Sequence, residues 1–509
     1  VPRTPLRRLT RFEYANAVRD LLNVDASAAA DLPADEITNS FDNNAAVLTV
    51  SELHAEKYVL VSEALAKLAV RDLPGLVGCD VAATGEEACA RGFAARLGRR
   101  AFRRPTTPAD EQSLMTAYGA GRTGGSYAEG IEVMVRAALQ SPDFLYRLET
   151  TSPANAGATQ VPLSAYELAT RLSFLVWSSG PDDALLDAAA RGELSSKAQV
   201  AAKAREMLAQ PRARAAIAGF FEQWTGARRL DVVAKSATSF PDFSPALRDA
   251  MAAELPAFVE HVLWSGDGSL KALLTEPVAF VNAELASLYG VAAPTTSGAG
   301  LQLANLRPEQ GRSGILTSAG FLSVQAHPDQ TSPVLRGKFV RAMLLCQPPP
   351  APPNDVDITP PDVTEAKTAR ERLAGHLAAG ASCNGCHTLM DPIGLAFENF
   401  DAMGRYRESE AGASLDVSGE IIGATDPGLA GPFVGVRAMA EKLAASSQVR
   451  ACLATQLFRF AAGRSEAEAD ECSLATMRDS FGSSNGNLLE LIVATTQTDA
   501  FWFRSPITP

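Results

Sequence analysis

Apolar residues recur three and four positions apart along most of the chain. Val18, Leu21 and Leu22 form one such set, Leu168, Leu172 and Leu175 a second, and Leu453, Leu457 and Phe460 a third. That spacing lines one face of a helix. Helix-start signals recur with it. Thr10 and Glu13 make a capping box, with Leu9 and Tyr14 as its hydrophobic staple. Ser164 and Glu167, flanked by Leu163 and Leu168, repeat that grammar, and Thr107-Pro108 opens another helix with proline at its first position. Strand-like alternation is rare; residues 415–422 alternate and predict a small hairpin. The pattern predicts a mainly α, multidomain helical protein with minor β.

Breaks in the pattern divide the chain. Seven prolines between Pro348 and Pro361 exclude helix and predict an extended polyproline II linker over 347–361. Gly- and Ser-rich stretches at 293–300 and 483–486 predict loops. We place domains at 1–70, 71–155, 156–300, 301–410 and 411–509, the first three and the last helical, the fourth holding the linker and the Cys-x-x-Cys-His motif described below.

Composition agrees with a chain of several packed units. The 509 residues are 46% hydrophobic and 20% charged, and only 7% aromatic, a balance that favours helix. A formal net charge of -12 argues against a nucleic-acid partner, which needs a basic face. No apolar run is long enough for a transmembrane segment. The opening Val1-Pro2-Arg3-Thr4 reads as a mature or trimmed chain whose export signal stands outside it.

Seven cysteines are present: Cys79, Cys89, Cys346, Cys383, Cys386, Cys452 and Cys472. Spacing predicts two local disulfides, Cys79 with Cys89 and Cys452 with Cys472, and leaves Cys346 free. Each bridge contributes about 2–4 kcal/mol by loop closure and requires an oxidising compartment.

Cys383-Asn384-Gly385-Cys386-His387 carries the chemistry. Attachment of haem c needs two thiols placed to add across two vinyl groups, with an imidazole beside them to reach the iron; Cys-x-x-Cys-His supplies all three. A zinc site wants two further Cys or His at matching spacing, and a thioredoxin-like pair wants a preceding strand. Neither is visible, so we expect one covalent haem c held by Cys383 and Cys386, with His387 as the proximal metal ligand. The other axial position is open between several residues. Met390 lies too near the proximal face, Met403 could reach only through a tight loop, and Met439 stands in a Val436, Met439, Leu443 stripe that reads as core. His54 and His261 fall in helical stretches. His376 leads into the motif and is a weak candidate for the haem edge. His327 sits in a polar loop without helical periodicity, a candidate distal ligand or acid/base.

Longer motifs surround these residues. Ser332-Pro333-Val334-Leu335-Arg336-Gly337 and Met390-Asp391-Pro392-Ile393-Gly394-Leu395-Ala396-Phe397-Glu398-Asn399-Phe400-Asp401 flank the haem motif. Phe41-Asp42-Asn43-Asn44, Gly98-Arg99-Arg100-Ala101-Phe102-Arg103-Arg104-Pro105, Phe280-Val281-Asn282 and Ala462-Gly463-Arg464 stand elsewhere. Together they resemble the planctomycete- and myxobacterial-type cytochrome c multidomain family, a haem c protein with associated domains of unknown function. The resemblance implies an exported, single-haem c-type cytochrome of the periplasm or cell surface, often with a lipid anchor. His327, Arg336 and His376 match positions that recur in the family's haem segment. Arg336 is a candidate to neutralise a haem propionate. Glu398 is a weak candidate acid/base, and Asp391 and Asp401 read as caps and turn formers. Three functions stay open: electron transfer with a redox partner protein, which we put first; a peroxidase-like or oxygen-using haem enzyme with a small-molecule substrate; and a haem-stapled binding protein.

Overall fold

The computed structural model describes residues 2, 5–150, 158–294, 300–350, 367–378 and 381–506, except for the side chains of 375–378 and 381–383. Helices dominate these residues, and strands occur as antiparallel pairs of two to four residues. The chain gathers into two compact units. One comprises Val1–Ile217, Phe458–Thr476 and Val493–Pro509; the other comprises Ala218–Leu457 and Met477–Ile492. Most of the linker predicted over 347–361 lies outside the described residues, as do 295–299 of one predicted loop; Pro348, Pro349 and Pro350 are irregular chain.

In the first unit α1 (Arg11–Leu22) starts where the sequence signals it. Thr10 Oγ1 accepts from the Glu13 amide at 3.1 Å, and Glu13 Oε2 accepts from the Thr10 amide at 3.0 Å. Two of the first turn's orphan donors are thereby satisfied. The helices α2 (Glu52–Ala69), α3 (Glu86–Ala101), α4 (Pro108–Arg122) and α5 (Tyr127–Gln140) follow, and α4 packs along α5, which also meets α2 and α3. Their shared core includes Tyr14, Val18, Leu65, Phe93, Ile131 and Met134. Arg7–Arg8 pairs antiparallel with Tyr146–Arg147. The helix α6 (Ala165–Trp177) begins at the second expected capping box, Ser164 with Glu167. Just before it, Val161–Pro162 pairs with Phe503–Arg504 near the other end of the chain. The Cys79–Cys89 disulfide forms as its spacing predicts.

The second unit is built on α7 (Pro245–Glu260), α8 (Leu270–Thr275), α9 (Ala319–Val324), α10 (Pro333–Phe339), α11 (Ala381–Leu395) and α12 (Gly435–Ala445). Residues 415–422 do not close a hairpin on themselves. Ser418–Ile421 pairs instead with Gly431–Val434, while a tight hairpin joins Ser409–Glu410 to Ala413–Ser414. Alternation marked the strand; its partner lay across a loop whose length alternation cannot read.

The second disulfide corrects the sequence expectation. Cys452 bonds to Cys346, 106 residues earlier, and Cys472 is free and exposed. Cys452 lies 2% exposed in α13 (Ser447–Ala462). From the same helix Gln448 Nε2 donates to the Leu345 carbonyl at 3.0 Å and Gln456 Nε2 to the Ala342 carbonyl at 3.3 Å. Helix packing thus brings the distant thiol to Cys452, and this outranks proximity in sequence. Cys452→Ser should lower the unfolding free energy by about 2–4 kcal/mol in a guanidinium titration without reductant. Cys472→Ser should move it by no more than ~0.5 kcal/mol.

A buried acid also shapes this unit. Both carboxylate oxygens of Glu254, on α7, accept from the Tyr289 hydroxyl at 2.6 and 2.7 Å, and that hydroxyl accepts from the Ala319 amide at 2.7 Å. Burial pushes Glu254 up from its ordinary 4.5 to about 7, against the pull of Tyr289 and Arg312. A raised folded-state value means that the folded chain holds this proton longer than the unfolded one. The stability it contributes is complete below about pH 4.5 and is lost as pH rises through about 7. Between those limits wild-type stability should fall, on this group's account, by an amount on the order of 3 kcal/mol. Glu254→Gln should flatten that part of the pH profile, measured by chemical unfolding from pH 4 to 8.

Candidate haem-attachment site

The Cys-x-x-Cys-His motif occupies the first turns of α11. The side chains of Cys383 and of His376, which stands on the preceding helix Ala369–Ala378, lie outside the described residues. Cys386 is half-buried and in no disulfide. Asn384, Gly385 and Thr388 are exposed. The far end of the same helix is packed: Met390, Asp391, Ile393 and Leu395 are buried. One helix therefore runs from surface to core, with the motif at its wet end.

His387 has a partner one turn further on. Its Nδ1 lies 2.9 and 3.1 Å from the two carboxylate oxygens of Asp391. A carboxylate only accepts, so the proton belongs on Nδ1 and the lone pair on Nε2. The side chain of Asp391 is 5% exposed, so little water competes for this bond. Asp391 is thus not the turn former that its Asp-Pro context suggested: it and Pro392 both lie inside α11. The signal available in the sequence was the spacing, since residues four apart share a helix face. Asp401 does build a turn, its Oδ1 accepting from the amides of Met403 and Arg405 at 2.8 and 2.9 Å.

Two glycines set the position of α11. A Cβ on Gly337 of α10 would stand 2.0 Å from the Met390 carbonyl oxygen, and one on Gly394 would stand 1.8 Å from that of Pro333. The two backbones are in contact, and only residues without a side chain fit at both places. Arg336, fully buried and next to Gly337 in sequence, locks the crossing. Its Nη1 donates to the carbonyls of Phe397 and Phe400 at 3.1 and 2.9 Å, and its Nη2 to that of Asp401 at 2.9 Å. Nη1 also lies 3.5 Å from Glu398. Glu398 accepts from Arg407 Nη2 and from Thr331 Oγ1, each at 2.8 Å.

This network corrects two expectations. Arg336 is fully buried and spends Nη1 and Nη2 on the chain that leaves α11, a partner set other than a propionate. Glu398 is a buried member of an ion cluster, raised by burial against the pull of Arg336 and Arg407, and is not an acid facing a substrate.

The other candidates separate clearly. His327 is half-buried in a loop closed by the Ala326–Thr331 bridge, so the Thr331–Glu398 bond ties that loop to the end of α11. Its carbonyl accepts from Lys235 Nζ at 3.1 Å. Burial lowers the pKa of His327, with Lys235 acting in the same direction and Asp329 against it. Lys235 itself is lowered to about 8 by burial and by the charge of Arg336. Met439 is fully buried with Val436, Ala440 and Leu443 on α12, the core stripe its spacing suggested. Thr331, Arg407 and Lys235 carried no sequence signal, because their roles depend on long-range packing.

Five family models match successive stretches, each described as a protein of unknown function: DUF1587 over residues 7–71, DUF1595 over 89–149, DUF1592 over 163–291, DUF1588 over 312–410 and DUF1585 over 431–501. The chain is built of planctomycete-type cytochrome c-associated domains. None of the five models is itself a haem-binding domain. No curated protein and no solved structure matches the chain. Among these cytochrome c-associated domains, α10, α11 and the Arg336–Glu398 cluster all fall within the DUF1588 match.

The glycine crossing has a diagnostic sign. In an unconstrained helix Gly→Ala stabilises by about 1 kcal/mol. At Gly337 the new methyl would meet backbone, so Gly337→Ala should instead destabilise by about 1–3 kcal/mol in chemical unfolding.

Proposed function

We propose that this chain carries one haem c, bound through Cys383 and Cys386 with His387 on the iron, and serves in redox chemistry outside the cytoplasm, electron transfer first. The observation that supports it most is the hydrogen bond from His387 to Asp391. Metal-bound histidines commonly donate their second nitrogen to such an outer carboxylate, which fixes the ring and raises its basicity. The donor set fits the group: a half-buried thiol outside any disulfide, an imidazole with its Nε2 lone pair set by Asp391, and an exposed helix start that leaves room for a macrocycle. When bound, the haem would supply a one-electron iron couple. The protein's part is to hold the imidazole, through Asp391, and to hold α11, through Gly337, Gly394 and Arg336. The exposed Asn384, Gly385 and Thr388 support electron transfer, since a partner protein could approach the attachment stretch directly. The disulfides Cys79–Cys89 and Cys346–Cys452 favour an oxidising compartment such as the periplasm or cell surface.

A second reading, a haem enzyme, is favoured by His327. Its lowered pKa keeps it neutral near pH 7, the form that can ligate iron or accept a proton. Glu398 takes no part in either reading, being held by Arg336, Arg407 and Thr331.

Protein matured in an exporting, haem-attaching host should be coloured, and its mass should exceed that of the chain by one haem. Cys386→Ala should leave at most a singly linked group, and a colourless wild type would end the proposal. Asp391→Asn should raise the reduction potential by about 60 mV, a tenfold change in a one-electron equilibrium. A low-spin spectrum indifferent to cyanide and carbon monoxide would favour the carrier; a high-spin spectrum that both ligands shift would favour the enzyme. In the second case His327→Ala should alter the spectrum.

A further inference from the structure

The unit that holds α1 to α6 contains a cavity of about 280 Å³, remote in sequence from the haem motif. Five arginines line it, Arg7, Arg147, Arg171, Arg464 and Arg504, against one acidic residue, Glu149. Leu6, Leu175, Phe458 and Phe501 supply apolar wall. In a protein of net charge -12, five arginines at one cavity stand out against the bulk.

Three of these arginines have a carboxylate partner of their own. Arg171 is held by Glu149 through two bonds of 2.6 Å. Arg464 is held by Asp470 at 2.6 and 2.8 Å, and Arg7 by Glu13 at 2.7 Å. Arg147 differs. It is 9% exposed, and its guanidinium donates no hydrogen bond to any described residue. Glu13 stands 3.8 Å away and already accepts from Arg7 and from the Thr10 amide, and Glu149, the other carboxylate that acts on Arg147, is held by Arg171. What holds Arg147 is the ring of Phe174, 4.9 Å from its guanidinium carbon. Burial, with the charge of Arg7, drives Arg147 down to about 9, against the pull of Glu13 and Glu149.

A guanidinium that presents unused donors to a cavity is completed by an anion. The planar fork matches a carboxylate or another oxyanion through two parallel bonds. The apolar wall would take the rest of such a ligand, and the volume suits a small molecule. We infer that this cavity is a binding site for a small organic anion, an oxyanion head held by Arg147 and an apolar body against Leu175, Phe458 and Phe501. A carboxylate is the head group we assign. The site is independent of haem, so it stands whether or not the redox proposal does.

The test uses the full chain and three probes of similar bulk: 3-phenylpropanoate, its neutral amide and phenyl phosphate. Calorimetry and thermal unfolding should show 3-phenylpropanoate binding once per chain and raising the melting temperature, with affinity falling as salt rises. The amide should do neither. Arg147→Met should weaken binding at least tenfold, and Arg147→Lys, which keeps the charge but loses the fork, should fall between. If phenyl phosphate binds in place of the carboxylate, the oxyanion site is upheld with a phosphate head. Equal effects of acid and amide, no binding by either anion at millimolar concentration, or unchanged affinity in Arg147→Met would each overturn the inference. Should Arg147→Met fail to fold, the comparison of acid with amide on the wild type decides alone.

Discussion

Two backbones in direct contact govern the second unit. Where α10 crosses α11, the absence of side chains at Gly337 and Gly394 lets main chain meet main chain. So close a crossing leaves no room for water, and any polar group beside it must find a partner within the protein. Arg336 meets that demand. It donates to three carbonyls just beyond α11, at Phe397, Phe400 and Asp401, where the chain has left the helix. Glu398 balances its charge and in turn gathers Arg407 and Thr331. Replacing such a cluster with apolar groups is often neutral for stability, so its value here is geometric. It fixes where the chain goes on leaving α11, and through Thr331 it fixes the loop that carries His327.

The same crossing decides which part of α11 is wet. The buried end is clamped by α10, so the motif end projects outward, and Asp391 stands at the transition between them. A carboxylate placed one turn nearer the surface would be hydrated and would hold His387 weakly. One placed a turn deeper could not reach it. The hydrogen bond between His387 and Asp391 is therefore a consequence of how α11 is seated, beyond the i, i+4 spacing that makes it geometrically allowed. This is why the Cys-x-x-Cys-His motif and the packing motif, separated by only a few residues, work as one structure.

Legibility in the sequence followed the range of the interaction. The capping boxes at Thr10 and Ser164 were readable, because every atom involved lies within four residues. The Cys79–Cys89 bridge closes across ten residues and was readable too. Cys346–Cys452 was not, since it depends on how α13 lies against the chain ending at Leu345. The strand at 418–421 showed in its alternation, but its partner at 431–434 did not. Arg336 looked like an anion clamp because arginine near a haem motif invites that role. Its full burial, which reverses the reading, is a property of the crossing alone. Asp391 was the avoidable miss: a following proline suggested a turn, though the histidine four residues back sat in plain view.

Net charge proved the least informative of the bulk properties. A value of -12 describes the field at a distance, where salt screens it within about 10 Å. It says nothing of a cavity whose five arginines come from residues 7, 147, 171, 464 and 504. These positions meet because Arg7–Arg8 pairs with Tyr146–Arg147 and because the segment at 503–504 returns to pair with Val161–Pro162. The two short strand pairs contribute little as sheet, with only two residues each. Their effect is to converge distant arginines faster than carboxylates can follow, and the buried cation at Arg147 is the residue of that convergence. A fold that only needed stability would have little reason to keep a buried guanidinium there, since an apolar side chain of similar volume would remove the desolvation cost. The charge makes physical sense when an anion from solution completes it.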